Sequence, residues 1–375
     1  MQTEPNPKIS VIVPVKNICH LIGDLVDDLK AQSVTDWELL LITGVSEDGT
    51  DEICRQLAGE DARICVLERK DPGVSAARNC GIDHARGEYL VFPDGDDRLE
   101  KDYLAKLLAT MEAPGQDDSK VKGFDRAVVQ MGMAGYVTES TEDGEELLVF
   151  ETPESGCRVI GTEDLLCRLF FLGNYQGYVW NKIFRRDILM NHKIRFDEDI
   201  YYHEDQLFLV RYLLHCEAVR WDPSHVYHYR LREDSAMGSL ESTDGRVDKE
   251  ILEREMTEIE AFDRMRKLLK RYPDPQWFCE QNLVFYALDI LGKMETFEDE
   301  SAFVKSTFRK LAKEASRIDY EPMDEWEEEA LPKLKHFGKL LYSLPEDMAF
   351  FRKQTLGKTV IMGRKTLESF KDAKP

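Results

Sequence analysis

The chain has 375 residues, enough for one large domain with an appendage or for two domains of ordinary size. Its 42% hydrophobic and 10% aromatic residues, with only 14 prolines, exclude a disordered chain. Fifty Lys and Arg against 72 Asp and Glu leave a net charge of −22, which excludes nucleic acid as a first partner; the same field repels a nucleotide diphosphate unless a divalent cation or convergent arginines reverse the sign locally.

In chain order, "KISVIVPV" (8–15) is a β-branched run without a polar break, the pattern of a strand buried on both faces of a parallel sheet and starting near Ile9. Leu21, Ile22, Leu25, Val26 and Leu29 then recur at helical spacing, "WELLLI" (37–42) reads as a second strand, and Thr50 can cap a helix carrying Ile53 and Leu57. "RICVL" (63–67) is a third strand. A slim helix lined by Val74, Ala77, Ile82 and Ala85 follows, and "EYLVF" (88–92) is a fourth strand running directly into "PDGDD". This βαβαβαβ order predicts a doubly wound α/β half-domain whose ligands bind beyond the carboxyl ends of the strands, after Val15, Ile42, Leu67 and Phe92. Farther on, "RAVVQMGMAGYV" predicts a strand pair, with helices near 162–172 and 205–215 and strands near 217–231. Past Asp244 the texture changes to amphipathic helices at about 246–271, 276–296 and 300–317, then an acidic cluster at Glu325, Glu327, Glu328 and Glu329 and a tail that turns basic from Arg352.

The eight cysteines show no C-x-x-C or C-x-x-H spacing and read as free thiols in a reducing compartment. "MQTEPNPKIS" lacks a charged n-region and an apolar h-region, and no stretch approaches about 18 apolar residues, so the expectation is a cytoplasmic protein. The basic tail offers a peripheral contact with the inner face of a membrane as an addition to that expectation.

Asp94, Asp96 and Asp97 in "FPDGDD" fall just past a buried strand, where carboxylates face the crevice and Gly95 lets a ligand approach the backbone. Oxygen ligands at this density suit Mg²⁺ or Mn²⁺, which would cancel the charge of a diphosphate; the plainer alternative is an acidic turn capping the helix at 101–111. Glu204 and Asp205 in "YYHEDQLF" open a helix, either as ordinary N-terminal carboxylates or as a general base for an acceptor hydroxyl. Arg78 in "GVSAARN" can reach a phosphate or lock the D-x-D carboxylates by bidentate bonds. His228 and Arg230 in "VYHYRLR" either close over a diphosphate or belong to an exposed strand face.

Taken together, "SVIVPVKN", "DPGVSAARNCGIDHARGEYLVFPDGDD", "GYVWNKIFRRDIL" and "HEDQLF" resemble, in order and spacing, the inverting A-fold glycosyltransferases of family 2, over roughly residues 8 to 235. The resemblance implies an A-type glycosyltransferase fold, a doubly wound, mostly parallel sheet flanked by helices, here with a C-terminal α-helical appendage. It implies single displacement with inversion, usually from a UDP-sugar, with Mn²⁺ or Mg²⁺ held by Asp94 and Asp96. The second member of the family's "ED" pair, Asp205, would be the base, and Glu204 would orient or bind the acceptor. Pro14, Val15 and Asn17 would lie against base and ribose, Arg78 on the phosphate side, and Trp180 and Lys182 on the acceptor side.

Some positions depart from the family pattern. "TGVSED" puts Thr43 and Gly44 where two aspartates usually recognise the nucleotide base, leaving Thr43 one hydrogen bond to offer; Asp71 replaces a common asparagine and Lys16 a common tyrosine. The expected organisation is a nucleotide-sugar-binding half (1–112), an acceptor-binding half of the same domain (113–240), a helical appendage (245–335) and a basic tail (336–375). That tail has its own resemblance: residues 340–370 look like the early segment of dihydrofolate reductase, with Asp347 at the folate-binding acid and "GRKT" (363–366) at the NADPH-phosphate turn. With the chain stopping at Pro375, no reductase activity is expected. The partners expected are a nucleotide-sugar donor and a glycan or lipid-linked glycan acceptor. Two rivals stand against the transferase: a D-x-D phosphatase, whose motif normally follows the first strand rather than the fourth, and a binding module of the same fold that has lost turnover.

Overall fold

β1 (Ile9–Val15) shows why the sheet begins where it does. Ile9, Val11, Ile12 and Val13 are all fully buried, because the strand is flanked on both edges by parallel partners and on both faces by helices. Around it α1 (Ile22–Lys30), β2 (Trp37–Thr43), α2 (Thr50–Glu60), β3 (Ile64–Glu68), α3 (Val74–His84) and β4 (Tyr89–Val91) give the parallel order β3-β2-β1-β4 that the β-branched runs predict. The computed structural model describes residues 6–69, 73–112, 129–140, 146–149, 156–170, 177–231, 249–295, 302–315, 317–320, 322 and 331–332. Asp71, the acidic cluster from Glu325 to Glu329 and the 336–375 tail with Asp347 and "GRKT" lie outside the described residues.

The second half extends the same sheet with mixed polarity. It contains β5 (Arg98–Leu99), α4 (Tyr103–Glu112), β6 (Val129–Ser140), β7 (Glu146–Val149), β8 (Arg158–Gly161), α5 (Thr162–Arg168), β9 (Lys182–Arg185), α6 (Arg186–Asn191), α7 (Glu204–Leu213) and β10 (Ala218–Leu231). The strand order runs β3-β2-β1-β4-β9-β6-β10-β5, with β7 on β6 and β8 on β10. Where a strand pair was expected, Val129–Ser140 is one strand, with β10 along it in parallel and β9 and β7 pairing antiparallel with its first and last parts. β9 runs antiparallel to β4, with Val91 opposite Ile183, so the chain leaving β4 and the chain entering β9 meet at one end of the sheet. β10 runs parallel to β6 and delivers its last residues to that same end.

A buried polar clasp holds the return from α3 to β4. Glu38, 5% exposed, accepts hydrogen bonds from Ser10 Oγ (2.6 Å), Arg86 N (2.8 Å) and Arg86 Nε (2.8 Å), and Ser10 Oγ in turn accepts one from Gly87 N (2.8 Å). A side chain at Gly87 would collide with Ser10, its Cβ falling 2.5 Å from the Ser10 nitrogen, so only glycine lets the turn come this close.

Residues Met1–Ser239 form one compact unit and Leu240–Pro375 a second. The second holds the helices expected there: α8 (Lys249–Leu268), α9 (Pro273–Glu295) and α10 (Ala302–Ala315). α8 and α9 pair through Ile259, Phe262, Leu283 and Ala287, all fully buried, with Phe262 stacked on Tyr286 at 5.2 Å. None of the eight cysteines is in a disulfide, and no helix among the described residues is long and apolar enough to cross a membrane.

Replacing Glu38 with Ala removes the acceptor of Ser10 Oγ and of the Arg86 main-chain and side-chain N–H groups and should lower the unfolding free energy by about 1–3 kcal/mol, read from urea denaturation curves.

Candidate active site

The loop after β4 carries the three aspartates, and the structure gives them different surroundings. Asp97 is buried; its carboxylate takes the Tyr227 hydroxyl proton donor on one oxygen and Arg230 N (2.8 Å) on the other. Tyr227 Oη also accepts a bond from Asp94 N (3.0 Å), so Asp97 and Tyr227 shape the loop rather than meet a ligand. Asp94 and Asp96 are half-buried at the open side. Gly95 has another reason than the expected ligand approach: a Cβ there would lie 2.5 Å from Ile18 Cδ1 and 3.3 Å from Val13 Cγ1, so the glycine lets the loop close onto the end of β1.

Arg78 ties this loop to the other end of the chain. Its Nη2 lies 3.1 Å from Asp94 Oδ1 and its Nη1 lies 3.1 Å from Glu204 Oε1. The Arg78 side chain is only 5% exposed, Glu204 13% and Asp94 29%. Of the two readings open for Arg78, the structure shows the lock on the carboxylates, with Nη1 and Nη2 each on an acid. Asn79 fixes the approach to α7, donating to Phe196 O (2.9 Å) and accepting from Phe196 N (2.9 Å), while the Phe196 ring backs the guanidinium at 5.3 Å. Phe196 stacks on Phe208 of α7 at 3.9 Å, and both touch Phe92 at the end of β4, which closes the brace between the two carboxylate segments.

α7 begins at Glu204, after His203 in the left-handed conformation (φ 63°). Asp205 Oδ1 accepts Gln206 N at 2.8 Å, in the first turn where main-chain N–H groups favour carboxylates. Burial pushes Asp94 and Asp205 above the usual carboxylate range, with Arg78 pulling both back down. Burial and the neighbouring Asp205 push Glu204 up to about 7, against Arg78. Asp94, Glu204 and Asp205 thus share one buried guanidinium and leave an excess of negative charge, the electrostatic setting that attracts a cation. Among the described residues no group of three or more His, Cys, Asp or Glu is arranged to hold an ion alone.

Lys182 is inside the protein rather than at the surface. It is 1% exposed, its Nζ donates to Tyr178 O (2.6 Å) and Asn181 Oδ1 (2.8 Å), and burial pushes it down to about 7 while Asp205 raises it. Trp180 is 3% exposed, with parallel rings of Tyr227, Tyr178 and Tyr229 at 4.4, 4.9 and 5.8 Å and the edge of Tyr136 at 4.6 Å. The expected acceptor-side pair therefore backs the site instead of lining it.

On the donor side, Pro14 is half-buried, Val15 is buried and Asn17 is exposed with φ 53°, its Oδ1 accepting Glu47 N at 3.0 Å. Thr43 is 1% exposed at the last rung between β1 and β3, so its hydroxyl is covered; Val45 beside it is 70% exposed. Asp48 is spent on Cys19 N (2.9 Å) and on Thr50 N and Oγ1 (3.0 and 2.6 Å), which hold it well below the usual carboxylate range. His228 lies between Glu139 and Glu100, and Arg230 pairs with Asp24 at 3.3 Å. No observed contact brings either to the Arg78 cluster, and their alternation with Tyr227 and Tyr229 is that of a strand face. Asn79, Tyr227 and Tyr178 escaped the sequence reading; the "RN" of "SAARN", two tyrosines spaced by two in "VYHYR", and the residue before "VW" were the available signals.

With this geometry in view, the comparisons are specific. Residues 10–129 match the family model of glycosyl transferase family 2, and residues 335–375 match that of dihydrofolate reductase, which bears out both resemblances. The uncharacterized glycosyltransferase EpsJ of Bacillus subtilis is 30% identical over 229 residues, 61% of this chain and 62% of that protein; the chain spans about three-fifths of the length of the curated relatives it first matches. Among solved structures, S. aureus TarS (residues 1–349) in complex with UDP-GlcNAc aligns with a TM-score of 0.60 at 17% identity, covering 89% of this chain and 87% of that one. The mannosyltransferase PcManGT from Pyrobaculum calidifontis, in complex with GDP-Man and Mn²⁺, aligns with a TM-score of 0.50 at 14% identity, covering 99% and 89%. The fold is thus the A-type glycosyltransferase fold, with relatives that are glycosyltransferases.

Arg78→Met leaves buried carboxylates facing one another and should cost about 3–5 kcal/mol of stability by chemical denaturation, with Arg78→Lys falling between it and the wild type. Glu204 has a folded value near 7 above an unfolded value near 4.5, so the folded state holds its proton longer. The stability this contributes is complete below 4.5 and lost as pH rises toward 7, so Glu204→Gln should gain on the wild type across that window and run parallel to it above, measured as unfolding midpoints at several pH values.

Proposed function

We propose that the chain transfers a sugar from a nucleotide-diphosphate donor, of the UDP-sugar class, to an acceptor hydroxyl with inversion, in the assembly of a cell-surface polysaccharide or glycolipid. The observation that carries this reading is Arg78, which joins Asp94 of the D-x-D loop to Glu204 of the "ED" pair with 3.1 Å contacts on both sides, so that two carboxylate sets distant in sequence meet at one guanidinium. Asp205 is the base in this reading. It accepts the proton of the acceptor hydroxyl as that oxygen bonds to the anomeric carbon; the bond from that carbon to the diphosphate oxygen breaks, and the nucleoside diphosphate leaves with the electron pair. Glu204 stays on Arg78 and keeps the guanidinium between the two carboxylate sets, while burial lifts Asp205 toward a more basic carboxylate.

A divalent metal fits the residues present. Asp94 and Asp96, half-buried on the same loop, would hold it, one or two carboxylates being what Mg²⁺ takes beside phosphate oxygens. Such an ion supplies charge neutralisation to the departing diphosphate. The UDP-GlcNAc bound to TarS and the Mn²⁺ with GDP-Man in PcManGT support the donor class and the metal. The acceptor in this reading is a glycan or lipid-linked glycan reached from the cytoplasmic side.

The test is nucleotide-sugar turnover with Mn²⁺. Asp96→Ala should lose donor binding, and Asp205→Asn should keep donor binding while losing about a hundredfold or more in kcat. Unchanged kinetics in both variants overturn the assignment, and phosphate release from simple esters without a sugar nucleotide favours the phosphatase.

A further inference from the structure

Resting on the transferase reading, we propose that Tyr178 is the acceptor platform: the ring on which a pyranose of the acceptor lays its apolar face, next to Asp205. The main chain at this point rides on α7. A Cβ at Gly177 would fall 2.7 Å from Gln206 Cβ and 3.2 Å from Gln206 Cα, so the residue before Tyr178 lies against the residue after Asp205. The buried Lys182 ammonium then pins the Tyr178 carbonyl at 2.6 Å.

The side chain is the open end of an aromatic column. Tyr178 lies parallel to Trp180 (4.9 Å, 14°) and nearly parallel to Tyr229 (6.5 Å, 20°), with the edge of Tyr136 at 6.2 Å. Trp180, Tyr227 and Tyr136 are 3%, 0% and 5% exposed, whereas Tyr178 is 36% exposed. Neighbouring rings hold it, so binding costs little side-chain freedom. Burial pushes the Tyr178 hydroxyl up, and the charge of Asp205 pushes it further.

The chemistry selects among acceptor classes. A pyranose has an apolar C–H face for the ring and a hydroxyl rim for the surrounding carboxylates. A polyol phosphate brings a second negative charge toward Asp205, and a sterol needs an apolar groove where Tyr178 offers a single exposed ring.

Saturation-transfer NMR of methyl β-pyranosides with the full chain and UDP reads this directly, independent of turnover. In the unmodified protein the saturation should fall on the C–H protons of one ring face. Tyr178→Ala should weaken binding about tenfold, while Tyr178→Phe and Tyr178→Trp hold it and report that the fold is intact. Equal pyranoside binding in Tyr178→Ala, or stronger binding of ribitol phosphate or cholesterol vesicles than of any pyranoside, overturns the platform. Nucleotide-sugar hydrolysis by the unmodified protein separates the two ideas: hydrolysis without pyranoside binding sinks only the platform, and pyranoside binding without hydrolysis sinks the transferase reading.

Discussion

A single guanidinium holds two parts of this protein that would otherwise repel each other. Asp94 is 16 residues from Arg78 in sequence and Glu204 is 126 residues away, and both reach it at 3.1 Å. Carboxylates brought together away from water raise each other's pKa and push the segments apart. Arg78 offsets part of that cost, and its planar fork holds its two partners in fixed directions, which a lysine ammonium does not. The compensation stops short of neutrality, because Asp205 shares the same guanidinium. An excess of negative charge over a buried arginine favours a cation with an anionic ligand, so the constraint that shapes the fold also selects what can bind.

The brace around Arg78 works only because its backing is rigid. Asn79, the next residue along α3, clamps both main-chain polar groups of Phe196, and Phe196 then packs on Phe208 of the helix that starts at Glu204. On the far side of the cleft Asp97 and Tyr227 fix the D-x-D loop, and Tyr227 continues into the stack with Trp180 and Tyr178. Two elements of opposite character, an ionic brace and an aromatic column, therefore converge on α7 and on the end of β4. The antiparallel β9 makes this convergence possible by entering the sheet at the end where β4 leaves it.

Much of the fold was legible because it rests on local physics. A strand rich in Ile, Val and Leu is stable only between two covered faces, and β1 and β2 are found there. The D-x-D and "ED" carboxylates were legible as types, acids directly after a buried strand and at a helix start, each with a plain capping alternative beside the functional one. Side-chain destinations were not. Three aspartates in one loop look alike in sequence, yet Asp97 turns inward to Tyr227 of β10 while Asp94 turns to Arg78 of α3, because a different element meets each one.

Gly95, Thr43, Trp180, Lys182, His228 and Arg230 teach the same lesson from the other direction. Each carries a residue type suited to a ligand, and each is engaged by the protein itself: Gly95 by Ile18, Thr43 under the last rung of the sheet, Trp180 among four rings, Lys182 on the Tyr178 carbonyl, His228 and Arg230 on acids across a strand face. The sequence by itself determined the alternation of strand and helix, the chemistry available at the strand ends and the sign of the field, because those follow from side-chain type and period. Only the tertiary structure decided which of those groups face the cleft and which are consumed in building it, because that depends on register and on partners brought in from more than a hundred residues away.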